Sequence, residues 1–297
     1  MKRLLFILFL SFSLSQDYSL SFDDELDYVE INQLFDNVTA FTLSTWIKPN
    51  QQDGSGFVFY NGYGGEFDLA LKSDGNLEAG IKDGTGGSNW NWLNYDISSL
   101  YGTWIHVAMT CDGNEFKLYV NNENVTSSSV AGSLDSPSFL PKIGDRRGVN
   151  YDGDKSFNGN IDNMSIWNIA LTEEEITNYS SINPDGNEAG LLSFWDFNAG
   201  TGDVLHDSSG NQNHGTIYGA EWVCNNIDLC GVCDGDNSSC ETVEDIDGNI
   251  YSVIQIGNQN WMGENLKVTR YNNGTEISNY NDIDWSDTTE GAYGTYD

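Results

Sequence analysis

The chain has 297 residues, with Lys+Arg 12 against Asp+Glu 45 and a formal net charge of -33 at pH 7. That balance argues against nucleic acid as a partner, because phosphate binding needs clustered basic side chains, and 38% hydrophobic residues with 14 Phe, 15 Tyr and 9 Trp rule out a globally disordered chain. The acid excess serves solubility in a salty medium, with cation binding as its sharper use.

At the amino terminus Lys2 and Arg3 precede an unbroken apolar run from Leu4 to Leu10, and small residues stand at Ser13 and Ser15. This pattern predicts a signal peptide over 1–15, hence a protein secreted to the extracellular side or attached to the cell surface. No later segment approaches the roughly 18 apolar residues of a membrane helix, so no transmembrane segment is expected. Further along, alternating runs recur at Phe41 to Ile47, Phe57 to Tyr60, Phe67 to Leu71, Trp104 to Thr110, Phe116 to Val120 and Ile161 to Trp167. Period two with Gly, Asn and Asp between the runs predicts antiparallel strands. Asp74-Gly75 and Asp112-Gly113 supply the positive φ of hairpin turns. One short helix is predicted after Thr172, where Thr172 and Glu175 form a capping box and Glu173 and Glu174 face the positive end of the helix dipole. The expected fold class is all-β, an antiparallel jelly-roll sandwich with one short helix.

Ser21-Phe22, Asp27 to Glu30, Phe41 to Ile47, Trp104 to Ala108, Phe116 to Asn121 and Phe157 to Asn168 together resemble the laminin-G-like, concanavalin A-like jelly roll. The resemblance covers nearly all of 16–223. Leu192 to Phe197 and Asp207 to Gly215 resemble the segment that usually opens this family, yet here they close the domain, which reads as a permuted single domain, with the start of a second copy as the alternative. The resemblance further implies a structural Ca²⁺ held by Asp207, Asn211 and Asn213 with Asp162 nearby. The competing reading of Asp207 and Asn213 is that they build Asx turns. Calcium needs six to eight oxygen ligands, which a short Gly-containing loop can help supply.

Four cysteines, Cys224, Cys230, Cys233 and Cys240, crowd the segment 224–240. Their spacing alone permits a zinc knuckle, but export favours two disulfides, for which three pairings exist. The segment is similar to a cysteine-rich stretch of extracellular thrombospondin-related proteins and reads as a stapled linker. Cys111 is expected to be a small buried hydrophobe. From 241 to 297, Asp247 to Tyr251, Ile256 to Lys267 and Tyr271 to Gly274 resemble part of the Fibrobacter succinogenes major paralogous domain, a surface-protein module.

Two sets of residues invite chemistry. Glu25, Asp27 and Glu30 match the carboxylate spacing of laminarinase-type glycoside hydrolases, in which a bulged strand brings three carboxylates to one face. Trp90 and Trp92 follow a Gly-rich stretch at 84–89 and could present a sugar-stacking platform at the rim of the sandwich. His106 is expected to be a satisfied sheet histidine, and no nucleophile elbow, phosphate loop or zinc-protease pair is present. The sequence thus favours a non-catalytic binding or adhesion protein for an extracellular glycan or glycoprotein. A hydrolase using Glu25, Asp27 and Glu30, or a purely structural surface protein, are the alternatives.

Overall fold

A computed structural model describes residues 17–23, 26–34, 38–61, 67–82, 90–130, 140–146, 154–228, 233–235, 242–256, 259–279 and 292–293. The expected signal peptide, Glu25, the 84–89 stretch, Cys230 and Cys240 lie outside the described residues. The chain divides into two compact units, with Ser15–Cys224 as the larger and Asn225–Asp297 in the other.

The larger unit carries β1 (Tyr18–Phe22), β2 (Tyr28–Glu30), β3 (Phe41–Pro49), β4 (Ser55–Tyr60), β5 (Phe67–Leu71), β6 (Asn76–Lys82), β7 (Trp90–Asp96), β8 (Ile105–Cys111) and β9 (Glu115–Val120). They are followed by β10 (Glu123–Ser129), β11 (Lys142–Ile143), β12 (Asp154–Ser156), β13 (Gly159–Trp167), α1 (Glu173–Tyr179), β14 (Leu191–Trp195), β15 (Val204–Leu205), β16 (Gly215–Tyr218) and β17 (Glu221–Cys224). One sheet has eight strands in the order β10-β9-β8-β3-β13-β1-β17, with β14 beside β13. The other has nine, in the order β15-β16-β2-β11-β4-β5-β6-β7, with β12 beside β4. All of these pairings are antiparallel except β12 with β4. The expected runs fall on β3, β4, β5, β8, β9 and β13, and both Asp-Gly turns sit at positive φ on Gly75 and Gly113.

One core fills the space between the sheets. Leu20, Phe22, Phe41, Leu43, Ile47, Ile105, Val107, Met109, Ile161 and Ile166 from the eight-stranded sheet meet Val29, Phe59, Phe67, Leu69, Leu77, Ala79 and Leu93 from the other. The alternate residues of each strand point outward, which is why every strand divides its side chains between two environments. The closing segment completes this same core. β16 pairs with β2 and β17 with β1, so the carboxy-terminal strands add to both sheets next to the amino-terminal ones.

The helix caps the eight-stranded sheet. Thr172 Oγ1 accepts from the Glu175 backbone N–H while the Glu175 carboxylate accepts from the Thr172 N–H, the two halves of a capping box. Ile176 then packs with Trp167, Tyr119, Leu171, Leu191 and Phe194 on the outer face of that sheet. Trp46 Nε1 donates to the Ser180 carbonyl at the end of the helix. Beneath it lies a polar layer in which Ser44 Oγ and His106 Nε2 are 2.8 Å apart. Burial holds the His106 imidazole down at about 4, although the Asn122 side chain opposes this, so the ring is neutral at pH 7. His106 is only 2% exposed, buried as expected from its strand, but only Nε2 finds a partner in Ser44 Oγ while Nδ1 is buried without a hydrogen bond, so the expected satisfied histidine is met in part.

The second unit contains β18 (Thr242–Glu244), β19 (Ile250–Ile256) and β20 (Gln259–Met262) as one antiparallel sheet, and a parallel pair β21 (Ser278–Asn279) and β22 (Ala292–Tyr293). Its turn is tied by the Asp245 carboxylate, which accepts from the Asp247 and Asn249 N–H groups and from the buried Tyr251 hydroxyl. Cys224, which closes the larger unit, and Cys233, in the second, are each in the disulfide state, and a cysteine in that state cannot serve as a zinc thiolate. Cys111 is a buried free thiol that burial pushes up, as expected of a core residue. Among the described residues no helix is long and apolar enough to cross a membrane.

Candidate functional site

With α1 packed on the eight-stranded sheet, the outer face of the nine-stranded sheet is where exposed aromatic and charged side chains gather. Cross-strand register places Trp92 (β7), Gly80 (β6), Asp68 (β5), Tyr60 (β4), Lys142 (β11) and Glu30 (β2) in one row across that face. Phe57, Tyr60 and Ala70 form a small apolar cluster in its middle, all buried. The Arg146 guanidinium covers them, 5.4 Å from the Phe57 ring centroid and 5.3 Å from that of Tyr60.

The edge strand β7 carries Trp90 and Trp92 two residues apart, hence on one face. Their rings stack with centroids 4.6 Å apart and planes 11° from parallel. Leu93 between the faces points into the core, and Trp92 is 43% exposed. A glycine opposite makes room for it: a Cβ on Gly80 would stand 2.2 Å from Trp92 Cζ3. Glycine inside a strand marks such a close approach. The pair therefore sits on a sheet edge and not on the rim loop expected from the sequence, because the Trp90 to Asp96 run pairs fully with β6.

The hydrolase alternative needs its carboxylates on one face of a bulged strand. Here β2 pairs without a shift, Tyr28 with Tyr218, Val29 with Ile217 and Glu30 with Thr216. Glu30 shares the Tyr28 face and holds Lys142 Nζ at 2.9 Å, while Asp27 lies on the opposite parity, buried, where its carboxylate accepts from the Asp23 N–H. The two carboxylates do not face one substrate. Without the bulge, alternation sends them to opposite sides.

The residues expected to hold calcium are placed in two different settings. Asp207 is 7% exposed, and both its oxygens are saturated. Oδ1 accepts from the Phe194 and Ser209 N–H groups, and Oδ2 from the Asn213 N–H and the Ser209 hydroxyl. The Asn211 and Asn213 amides donate to the Leu192 carbonyl, and Asn211 also to that of Leu191. These bonds build Asx turns that pin the loop to β14, so the loop carboxylate is engaged as a hydrogen-bond hub.

Asp162 stands elsewhere, at the bulge where β13 exchanges β1 for β14 as its neighbour. Asp17 precedes β1 and Asp196 follows β14, and the charge of each acts on Asp162. Burial first, then the charge of Asp17 and more weakly that of Asp196, pushes the Asp162 carboxyl up to about 8 against hydrogen bonds from Asn163. Asp17 and Asp196 are 145 and 34 residues from Asp162, so no local spacing could have announced them. Among the described residues no three His, Cys, Asp or Glu side chains converge on a metal-sized site.

A family model described as the concanavalin A-like lectin/glucanases superfamily matches residues 23–177. Among curated relatives, mouse pappalysin-1 is 35% identical over 83 residues and human pappalysin-1 36% over 90 residues, covering 27% and 28% of this chain. The chain spans about 5% of the length of each of these relatives. Among solved structures, a proposed carbohydrate binding protein from Bacteroides ovatus superposes with a TM-score of 0.58 at 20% identity, covering 71% of this chain and 60% of that one. A heptameric SAP-like pentraxin from Limulus polyphemus gives 0.47 at 21% identity over 62% of this chain and 93% of its own. The mouse laminin alpha1 domains LG4-5 give 0.43 at 13% identity over 53% and 44%. At these identities the likeness is one of fold.

Proposed function

This chain belongs to the concanavalin A-like lectin/glucanases superfamily, and from that premise we propose that it is a secreted or surface-attached, non-catalytic module that binds an extracellular glycan or glycoprotein. The observation that carries the reading is the exposed Trp90–Trp92 stack over Gly80. A flat apolar surface at an exposed sheet edge matches the C–H face of a sugar ring, and a tryptophan needs few rotamers to be frozen in providing it. The Bacteroides ovatus likeness is in keeping with this reading, and so is the placement of Asp27 and Glu30 on opposite faces of the β2 segment.

The test is retention by immobilised polysaccharides in affinity electrophoresis, with β-glucan, xylan and arabinan as probes. Trp92→Ala is expected to weaken retention about 30-fold, the scale of a ~2 kcal/mol aromatic hot spot. Gly80→Val, which keeps both tryptophans but obstructs the ring, is expected to do the same. Retention unchanged in both variants would discard the site, and release of reducing sugar by the wild-type chain would discard the non-catalytic reading.

The structural calcium belongs to the same proposal: of the residues expected to hold it, Asp162, Asp207, Asn211 and Asn213, Asp162 is the one whose carboxylate lies outside the hydrogen-bonded Asp207 loop. What supports it is the buried Asp162 carboxyl at the bulge of β13, whose charged form burial disfavours and a divalent cation would favour. Millimolar calcium is then expected to raise the melting temperature over that in EDTA, by more at pH 8 than at pH 5, since protons compete for Asp162. Identical melting curves with and without calcium at pH 8 would rule it out.

A further inference from the structure

We propose that the exposed ring of Tyr218, held in place by stacking on Tyr28, is a second carbohydrate platform, so that one domain grips a polymeric glycan at two points; this rests on the reading of Trp90 and Trp92 above. The two tyrosines are register partners on β2 and β16. Their rings stack with centroids 4.6 Å apart and planes 23° from parallel, and Tyr218 is 43% exposed. Lys142 Nζ lies 3.7 Å from the Tyr28 ring centroid and 2.9 Å from Glu30 Oε2.

The tryptophan end has the same composition. On the same face of β6, two residues from the Gly80 that faces Trp92, Glu78 Oε1 is 3.1 Å from Lys72 Nζ. An ordered carboxylate and an ammonium next to a stacking surface suit a sugar, whose hydroxyls both donate and accept while its C–H face stacks. Holding the carboxylate in an ion pair before binding lowers the ordering cost on binding.

The two pairs are separate patches. From β2 to β7 there are five strand steps through β11, β4, β5 and β6, or ~24 Å at ~4.8 Å per strand. Buried Phe57 and Tyr60 under Arg146 lie between them. A short oligosaccharide therefore occupies one patch at a time, whereas a polymer engages both, and the second contact acts at high effective concentration, adding on the order of 10²-fold or more in avidity.

The experiment compares the wild-type chain, Tyr218→Ala, Tyr218→Leu and Trp92→Ala, each first shown to retain its melting temperature. β-Glucan, xylan and arabinan serve as polymers and as their trisaccharides, in calorimetric titrations. For any glycan bound, both Tyr218 variants are expected to halve the trisaccharide stoichiometry, leave the remaining site's affinity unchanged and weaken polymer binding at least 10-fold. Tyr218→Leu keeps apolar bulk, so its loss reports the ring itself. Wild-type stoichiometry and polymer affinity in both Tyr218 variants, with Trp92→Ala defective, would overturn the second platform and leave the proposed function standing. No effect from Trp92→Ala, or no binding of any probe by the wild-type chain, would sink both.

Discussion

Asp207→Ala is expected to lower the unfolding free energy of the sandwich by about 4 kcal/mol, because the change leaves three backbone N–H groups, those of Phe194, Ser209 and Asn213, without their acceptor at ~1–3 kcal/mol each before relaxation. For a unit of this size that corresponds to a fall in melting temperature of about 8–16 °C. The effect spreads because the loop is coupled to the core: Trp195, fully buried, donates from Nε1 to the Asn213 carbonyl, and the Asp207 N–H donates to His214 Nδ1. Asp207→Asn retains one acceptor oxygen but turns an amide N–H₂ toward other donors, and a loss of about 2 kcal/mol is expected. Urea unfolding at pH 7 measures both variants. The same loss in EDTA and in calcium supports the hydrogen-bond role of Asp207, whereas a loss seen only in calcium would make it a metal ligand after all.

The second large effect is a pH dependence whose direction follows from two buried groups. Asp162 has its carboxyl raised in the folded chain from 3.8 to about 8, so its stabilising contribution is complete below about pH 4 and is lost as pH rises through about 8. His106 is lowered from 6.5 to about 4, so its contribution is present above pH 6.5 and is lost as pH falls toward 4. Below pH 6.5 the two oppose one another. Between pH 6.5 and 8 Asp162 acts without this opposition, and in EDTA the stability is expected to fall by about 2 kcal/mol on the one-proton slope. Asp162→Asn is expected to abolish this fall and to melt above the wild-type chain at pH 8 in EDTA. Calcium is expected to flatten the wild-type profile in the same window, by favouring the ionised carboxylate. A variant less stable than wild type at pH 8 in EDTA would show that the charge is not a burden and would remove the reason for a cation there.

Much of the architecture was legible from the chain because strand alternation and turn chemistry are local. The runs at Phe41, Phe67, Ile105 and Phe116 needed only their own spacing to be read, and Thr172 with Glu175 needed only a separation of three. Trp90 and Trp92 were legible as a pair of aromatic rings following a Gly-rich stretch, but as part of a rim loop and not of a strand. What placed them on an edge strand was their pairing with β6, and the Gly80 gap that admits Trp92 comes from that neighbour. The glycine in Asn76 to Lys82 was a signal that could have been used, because a strand interior rarely carries one without a reason.

The sequence by itself determined the class of fold, the helix start, the buried character of His106 and Cys111, and the aromatic and acidic stock from which any site must be made, all properties set by nearest neighbours or composition. Tertiary structure alone decided which residues share a site. It joined Tyr28 to Tyr218 and Glu30 to Lys142 across strands 190 and 112 residues apart. It buried Asp162 at the bulge of β13, within the field of Asp17, and it engaged Asp207 in hydrogen bonds instead. The physical reason is that cross-strand register and strand order depend on how the two sheets close around one core, and no local period encodes that closure.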